Sequence, residues 1–208
     1  MLGSRLFWAI LVDAMTLVAW VWIAYMLIRS RRVAAAFDST VEAGHEIWHS
    51  SNTAITDPLG TPLWHGCRAR RRLTEITAPD AATNFHVRSA DGVLALDYPD
   101  GTPAGRIEAD RYAANRLSYT IFDATGTPRA YLASTGVTDS TWAATGVDET
   151  PYARFVLAPG RNHTALAPVT PPPLRPLLAA FLLDYDRMLL EGGTRPGGVA
   201  ELQRRAKR

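Results

Sequence analysis

Cysteine occurs once in these 208 residues, as Cys67, and lysine once, as Lys207. A single cysteine excludes an intrachain disulfide scaffold. With lysine nearly missing, arginine supplies almost every cation, a bias that a GC-rich genome explains without invoking function. An excess of one charge sign is missing too. The 22 Lys and Arg stand against 20 Asp and Glu, a net charge of +2, which excludes a chain built to coat nucleic acid. No G-x-S-x-G elbow, Walker loop or dinucleotide glycine pattern is present, so serine hydrolysis and nucleotide chemistry have no basis in the sequence. Apolar residues are what the chain has in quantity. At 47% they are too frequent for disorder throughout, and the length suits one domain with an appendage.

One long run holds much of that apolar content. Residues 6–28 (LFWAILVDAMTLVAWVWIAYMLI) contain no proline or glycine. A helix needs about 20 mainly apolar residues to cross a hydrocarbon core about 30 Å thick, and this run exceeds that. Trp8 and Tyr25 lie near its two ends, as aromatic rings do where a span meets the headgroups. Asp13 is the one charge inside. It costs about 2.5–3.5 kcal/mol at mid-membrane, against about 0.3–0.6 returned by each Leu, Ile, Val or Phe, so the sum favours insertion. A cleavable signal peptide has a shorter apolar region that ends at a small-residue site. Here Ala34-Ala35-Ala36 lies beyond Arg29, Arg31 and Arg32, and an uncleaved single-pass anchor is expected. The same three arginines outnumber Arg5 on the other flank, which predicts that the C-terminal domain lies on the cytoplasmic side. Asp13 and Thr16 share one helix face. They either bond within their own helix or meet a polar group on a partner helix.

Beyond residue 50 the texture changes to short apolar stretches broken by Gly, Pro, Asp and Thr, the pattern of an all-β domain. A repeat runs through it: ITDPLGTPLW (55–64), LDYPDGTP (96–103), IFDATGTP (121–128) and a degraded VDETP (147–151). Each copy reads as a hairpin in which Asp caps the turn, Gly supplies a positive φ and Pro opens the return strand. The prolines are spaced by 41, 25 and 23 residues, as suits successive hairpins of one meander. After Pro171-Pro172-Pro173, residues 176–190 carry leucines and aromatics at helical spacing, with Asp184 and Arg187 on another face. This helix is too short and too charged for a second span.

The expected fold is therefore mainly β: a single N-terminal transmembrane helix, then an antiparallel β-meander or barrel-like domain with a C-terminal hydrophobic helix. The segments are an anchor with its basic flank (1–32), a juxtamembrane helix or linker (33–50), the β-rich domain (51–191) and a basic disordered tail (192–208). DGTPAGRI, YTIFDATGTPRAYL and LLAAFLLDYDRML together resemble the LURP-one-related and phospholipid-scramblase-like group over roughly residues 50–190. The resemblance implies a twelve-stranded barrel of the tubby type around a C-terminal helix, of which about ten strands are countable in the sequence. It hints at contact with lipids or membrane proteins. The chain departs from the scramblases in holding Thr170 and three prolines where their acidic calcium segment lies, and in carrying its apolar span at the N-terminus. No family site residue carries over.

Three clusters bear on chemistry. His45-Glu46-Ile47-Trp48-His49 matches H-E-x-x-H. On a helix, His45 and His49 would grip zinc with Glu46 activating water and Glu75, Glu108 or His65 as third ligand. Gly44 and Ser50-Ser51-Asn52 on its flanks argue instead for an interfacial stretch with Ile47 and Trp48 packed. His65-Gly66-Cys67 places an imidazole and a thiol on one face of a strand, with a structural role favoured. Arg68, Arg70, Arg71 and Arg72 form the densest charge run, suited to phosphates or headgroups, or to defending a strand edge. The leading expectation is non-catalytic: an accessory or assembly subunit without cofactor that binds a membrane protein or anionic lipids. Its contacts would be Asp13, Thr16, Trp48, Trp64 and the Arg68–Arg72 run. A membrane-tethered zinc peptidase and a stand-alone scramblase-like lipid binder are the alternatives, and nucleic acid is not an expected partner.

Overall fold

The computed structural model describes residues 12–22, 24–25, 28, 37, 41, 43–51, 53–69, 72–79, 83–110, 118–135, 141–157, 162–185 and 188. Twelve antiparallel strands follow one another. They are β1 (Glu46–Ser50), β2 (Ala54–Thr56), β3 (Pro62–Ala69), β4 (Arg72–Thr77), β5 (Asn84–Ala90) and β6 (Val93–Asp97), then β7 (Pro103–Ala109), β8 (Ser118–Asp123), β9 (Pro128–Ser134), β10 (Thr141–Gly146), β11 (Pro151–Val156) and β12 (Asn162–Leu166). Each pairs with its sequence neighbour, and β12 returns to pair with β1, so the sheet closes into a barrel. Closure removes the unpaired edges that an open meander would expose.

Alternation along the strands decides what fills the barrel. In β10 Trp142, Ala144 and Gly146 are buried while the residues between them are not, and β6 turns Leu94 and Leu96 inward. A helix (Leu174–Leu183) occupies the interior, with every residue buried except Arg175. Enclosure on all sides explains why LRPLLAAFLL lacks a polar stripe, since a helix apolar all round belongs in a core. Phe181 packs edge-on against Tyr119, Trp142 and Phe155 from three different strands. Each fully buried Leu or Phe contributes about 1.5–3 kcal/mol, and the helix forms one core with the inward side chains of the strands.

Glycine makes room for it. Gly105 has φ +152°, and a Cβ there would lie 2.7 Å from the Phe122 carbonyl oxygen and 2.9 Å from a Leu177 methyl. The wall and the helix therefore approach more closely at this point than any side chain allows.

The all-β expectation and the four hairpins hold, with differences at their edges. β1 begins at Glu46, so residues 46–50 are barrel wall and not part of a juxtamembrane helix. The interior helix starts at Leu174, two residues before the expected Pro176. Asp184 ends its regular part and is buried at 1% exposure, not placed on an outer face. At the N-terminus, residues 12–22 are helical. No helix among the described residues is long and apolar enough to cross a membrane. The rest of the 6–28 run lies largely outside the described residues, as do the basic flank and the 192–208 tail.

Candidate functional site: the two mouths of the barrel

The strand order gives the barrel two unlike ends. The hairpins β2–β3, β6–β7, β8–β9 and β10–β11 turn at one end, where the helix begins. At the other end the helix finishes among the starts of β8 and β10 and the close of β3.

At the first end the repeat builds one turn four times. Backbone amides bond in the same frame in each: Gly60 to Asp57, Gly101 to Tyr98, Gly126 to Asp123 and Glu149 to Gly146. The register of the hairpin slips by one residue beside each turn, as a turn followed by a bulged residue requires. Gly60, Gly101 and Gly126 have φ between +83° and +89°, and Glu149 takes the same place at +67°. Carboxylates cap the turns as expected. Asp57 accepts from the Thr61 amide, Asp100 from Thr102, Asp148 from Thr150, and Asp123 from both Thr125 and Thr127. These donors hold all four carboxyls below their ordinary range. Asp123 is lowered furthest, through the Thr125 hydroxyl first and then with help from the Thr127 amide and the Arg129 guanidinium.

Beneath these turns lies a cavity of about 310 Å³, lined on the wall side by Trp64, Phe85 and Tyr98 and on the helix side by Pro172, Pro173 and Arg175. The three rings form a row with centroids 6.4 and 5.2 Å apart. Arg175 Nη1 donates to Glu46 Oε2 at 2.7 Å, and Trp48 Nε1 donates to the other Glu46 oxygen at 2.7 Å. Arg175 Nε is buried without a hydrogen-bond partner among the described residues.

The second end is plugged. Arg68 reaches inward from β3, donates to the Leu183 carbonyl oxygen and pairs with Asp184 Oδ1 at 3.4 Å. A guanidinium on the last carbonyls complements the negative end of the helix dipole. Tyr119 donates its hydroxyl proton to the Met188 carbonyl, and Trp142 Nε1 donates to the Tyr185 hydroxyl.

Against this geometry the expected residues sort as follows. His45, Glu46 and His49 do not lie on a helix. Four residues of extended chain put the two imidazoles about 13 Å apart, and alternation sends Glu46 and His49 to opposite faces. Glu46 faces inward as an ion-pair partner. The zinc arrangement is thereby corrected, and no group of three metal-ligating side chains forms among the described residues. Of the proposed third ligands, Glu75 accepts from Asn84, Glu108 accepts from Arg106, and His65 is exposed on β3 beside the exposed Cys67.

His49 instead meets its cross-strand partner His163 with ring centroids 4.6 Å apart. Near this pair on the outer wall, Phe37 clusters with Val156 and Ala165. Trp48 is a core residue at 1% exposure and not a surface contact, whereas Trp64 does line a mouth. Arg68 is engaged as a helix cap, Arg72 is exposed at the start of β4, and Arg70 and Arg71 lie outside the described residues. Asp13 is exposed on its helix, where Thr16 donates to the Val12 carbonyl.

Arg175 and Asp184 were missed as site residues, although each interrupts an otherwise apolar run and that interruption was the available signal. Phe85 and Tyr98 carried none, because the pairing of β3, β4, β5 and β6, not spacing along the chain, brings them to Trp64. Comparison with known protein families, with curated proteins and with solved structures gives no match.

Proposed function

We propose that this protein is a non-catalytic, single-pass membrane protein that acts as an accessory or assembly subunit. An N-terminal anchor would hold the barrel beside a membrane-protein partner, with the barrel on the cytoplasmic side. The observation that carries the reading is the helical stretch 12–22. Seven large apolar side chains there, from Val12 to Trp22, are 59–68% exposed. An apolar surface of that kind calls for lipid or another protein. Asp13 and Thr16 supply its polar face, as ionisable groups in spans do where they meet a partner.

The filled barrel supports a binding role over transport through the lumen, since the helix leaves no channel. A closed twelve-stranded barrel around a C-terminal helix is also the architecture that the scramblase-like resemblance implies. The path of the chain favours a second contact, with anionic headgroups. Phe37 sits against Val156 at the plugged end, whereas Gly44 lies beside Pro168 at the turn end. Phe37, ahead of β1, thus lies at the end of the barrel where β3 finishes and β4 begins with the exposed Arg72.

The test is extraction of the full-length protein from native membranes in mild detergent. A partner at fixed stoichiometry is expected, and Asp13→Leu should lower its co-recovery roughly tenfold, as loss of one polar contact of about 1–2 kcal/mol between helices would. A protein that runs alone, or recovery unchanged by Asp13→Leu, counts against the subunit reading.

A further inference from the structure

Large apolar side chains gather at the tips of the turn end. Leu59 is 93% exposed, Val169 61%, Val147 52% and Tyr98 46%, each on a different connection between elements. Beyond residue 28, Tyr131 on the outer wall is the one other large apolar side chain exposed among the described residues. Pro172 and Pro173 are exposed between these tips at the start of the interior helix, beside the half-open hollow of about 310 Å³. Clustered exposed apolar residues of this kind mark an interaction site.

The free charge on these connections is of one sign. Asp57, Asp100, Asp148 and Glu149 stand on the same hairpins and form no ion pair among the described residues. Asp123 and Glu46 at this end are matched by Arg129 and Arg175. Threonine amides and hydroxyls hold Asp57, Asp100 and Asp148 below the ordinary carboxylate range, so all three stay ionised. The same bonds fix the hairpin tips. Thr170 fixes the Val169 connection by donating its hydroxyl proton to the Tyr152 carbonyl at 2.6 Å. A surface already ordered loses little freedom on binding.

We infer that the turn end is a docking surface for a basic amphipathic helix of another protein. The helix lays its apolar stripe on the exposed tips and prolines and sets its cations against the unpaired carboxylates. Charge complementarity selects this occupant. A bilayer would bring the same carboxylates to anionic headgroups, which repel them. A second copy docked turn end to turn end would oppose like charges. Spacing sets the length of the helix. Four strand spacings, about 19 Å along the wall, separate the Asp57 turn from the Asp148 turn on one side and the Asp100 turn on the other. A helix of about four turns covers one such interval, with cations toward both ends. Its apolar face is the kind that enters a groove through residues at i, i+3, i+4 and i+7. The inference goes beyond the anchor reading and stands without it.

The test uses the full chain in zwitterionic nanodiscs, with empty nanodiscs as reference, and follows the fluorescence anisotropy of labelled synthetic helices. The probe is a peptide of about 15 residues, or four turns, with a leucine stripe and arginines at both ends. One control carries glutamates for the arginines and another carries serines for the leucines. Saturable binding of the probe is expected, at least tenfold tighter than either control and weaker as salt rises. Asp57→Asn with Asp148→Asn removes charge but keeps an acceptor for the turn amides, and should weaken probe binding at least fivefold. Leu59→Ser with Val147→Ser should weaken it by a similar factor, whereas Tyr131→Ser should leave it unchanged. Near-UV circular dichroism of the buried Trp48 and Trp142 establishes that each variant is folded. Probe binding that does not saturate, equal affinity for the glutamate control, or indifference to both double substitutions overturns the inference. So does adhesion of the loaded nanodiscs to phosphatidylcholine vesicles through Leu59 and Val147 without probe binding, which would give the surface to a membrane.

Discussion

The two ends of the barrel are held by different kinds of contact. At the turn end the aspartates of the hairpin turns bond amides two to four residues away: Asp100 with Thr102, Asp123 with Thr125 and Thr127, Asp57 with Thr61; the Glu46–Arg175 pair beneath them joins distant positions. At the plugged end the bonds join residues far apart in the chain. Arg68 and Asp184 are separated by 116 positions, Tyr119 and Met188 by 69, and Trp142 and Tyr185 by 43. The hairpin turns need only contacts within a few residues. The plugged end exists only once the barrel has closed, because the partners arrive on different strands and on the helix.

The strongest way to break this contrast is at the plug. Arg68→Met removes the cation facing Asp184, whose side chain is fully buried. The expected loss is roughly 2–4 kcal/mol in denaturant unfolding, less than for a fully buried pair because Arg68 is partly exposed. Arg68→Met combined with Asp184→Leu should recover most of it, since an apolar replacement of both partners leaves no unpaired charge. A double variant as unstable as the single one would show that Asp184 matters for its other contacts.

Gly105→Ala tests the close approach of wall and helix and should cost roughly 2–3 kcal/mol, from a crowded Cβ and a disfavoured φ. A thermal midpoint equal to the parent's would mean that the helix can shift within the barrel. At the turn end the effects shrink and one reverses sign. Glu149→Gly should stabilise by about 1 kcal/mol, because glycine relieves the left-handed strain that the other three turns avoid; a neutral or harmful result would assign Glu149 a compensating contact.

The smallest effect depends on pH. The Asp123 carboxyl titrates below its ordinary 3.8 in the folded protein. Its contribution to stability is therefore complete above that value and is lost as pH falls through the lower folded value. The stability gap between parent and Asp123→Asn should stay constant from neutral pH down to the ordinary carboxylate range and close below it. A gap that closes near neutral pH would rule out the carboxylate as its source.

Much of this molecule is legible along the chain. The repeat of Asp, Gly, Thr and Pro at fixed spacing names the turns, because a positive φ, an acceptor near the amides and a residue without N–H are local requirements. The leucine-rich segment after the prolines names a helix for the same reason. The candidate site is less legible. Trp64 was singled out, but its companions Phe85 and Tyr98 sit on β5 and just beyond β6, and nothing local marks them as neighbours. HEIWH shows the opposite error. The string suits a helix, yet pairing with β12 makes it a strand, and the strand separates its histidines.

The sequence alone determined the elements whose hydrogen bonds close within a few residues: the hairpin turns, the C-terminal helix and the alternation that makes one strand face apolar. The tertiary structure decided closure of the barrel, the burial of Trp48 and Asp184, the assignment of Arg68 to the helix end and the pairing of Arg175 with Glu46. Each of those depends on which distant strand or helix residue comes alongside. That is fixed by filling one interior volume with all twelve strands and the helix at once, a condition no stretch of sequence expresses by itself.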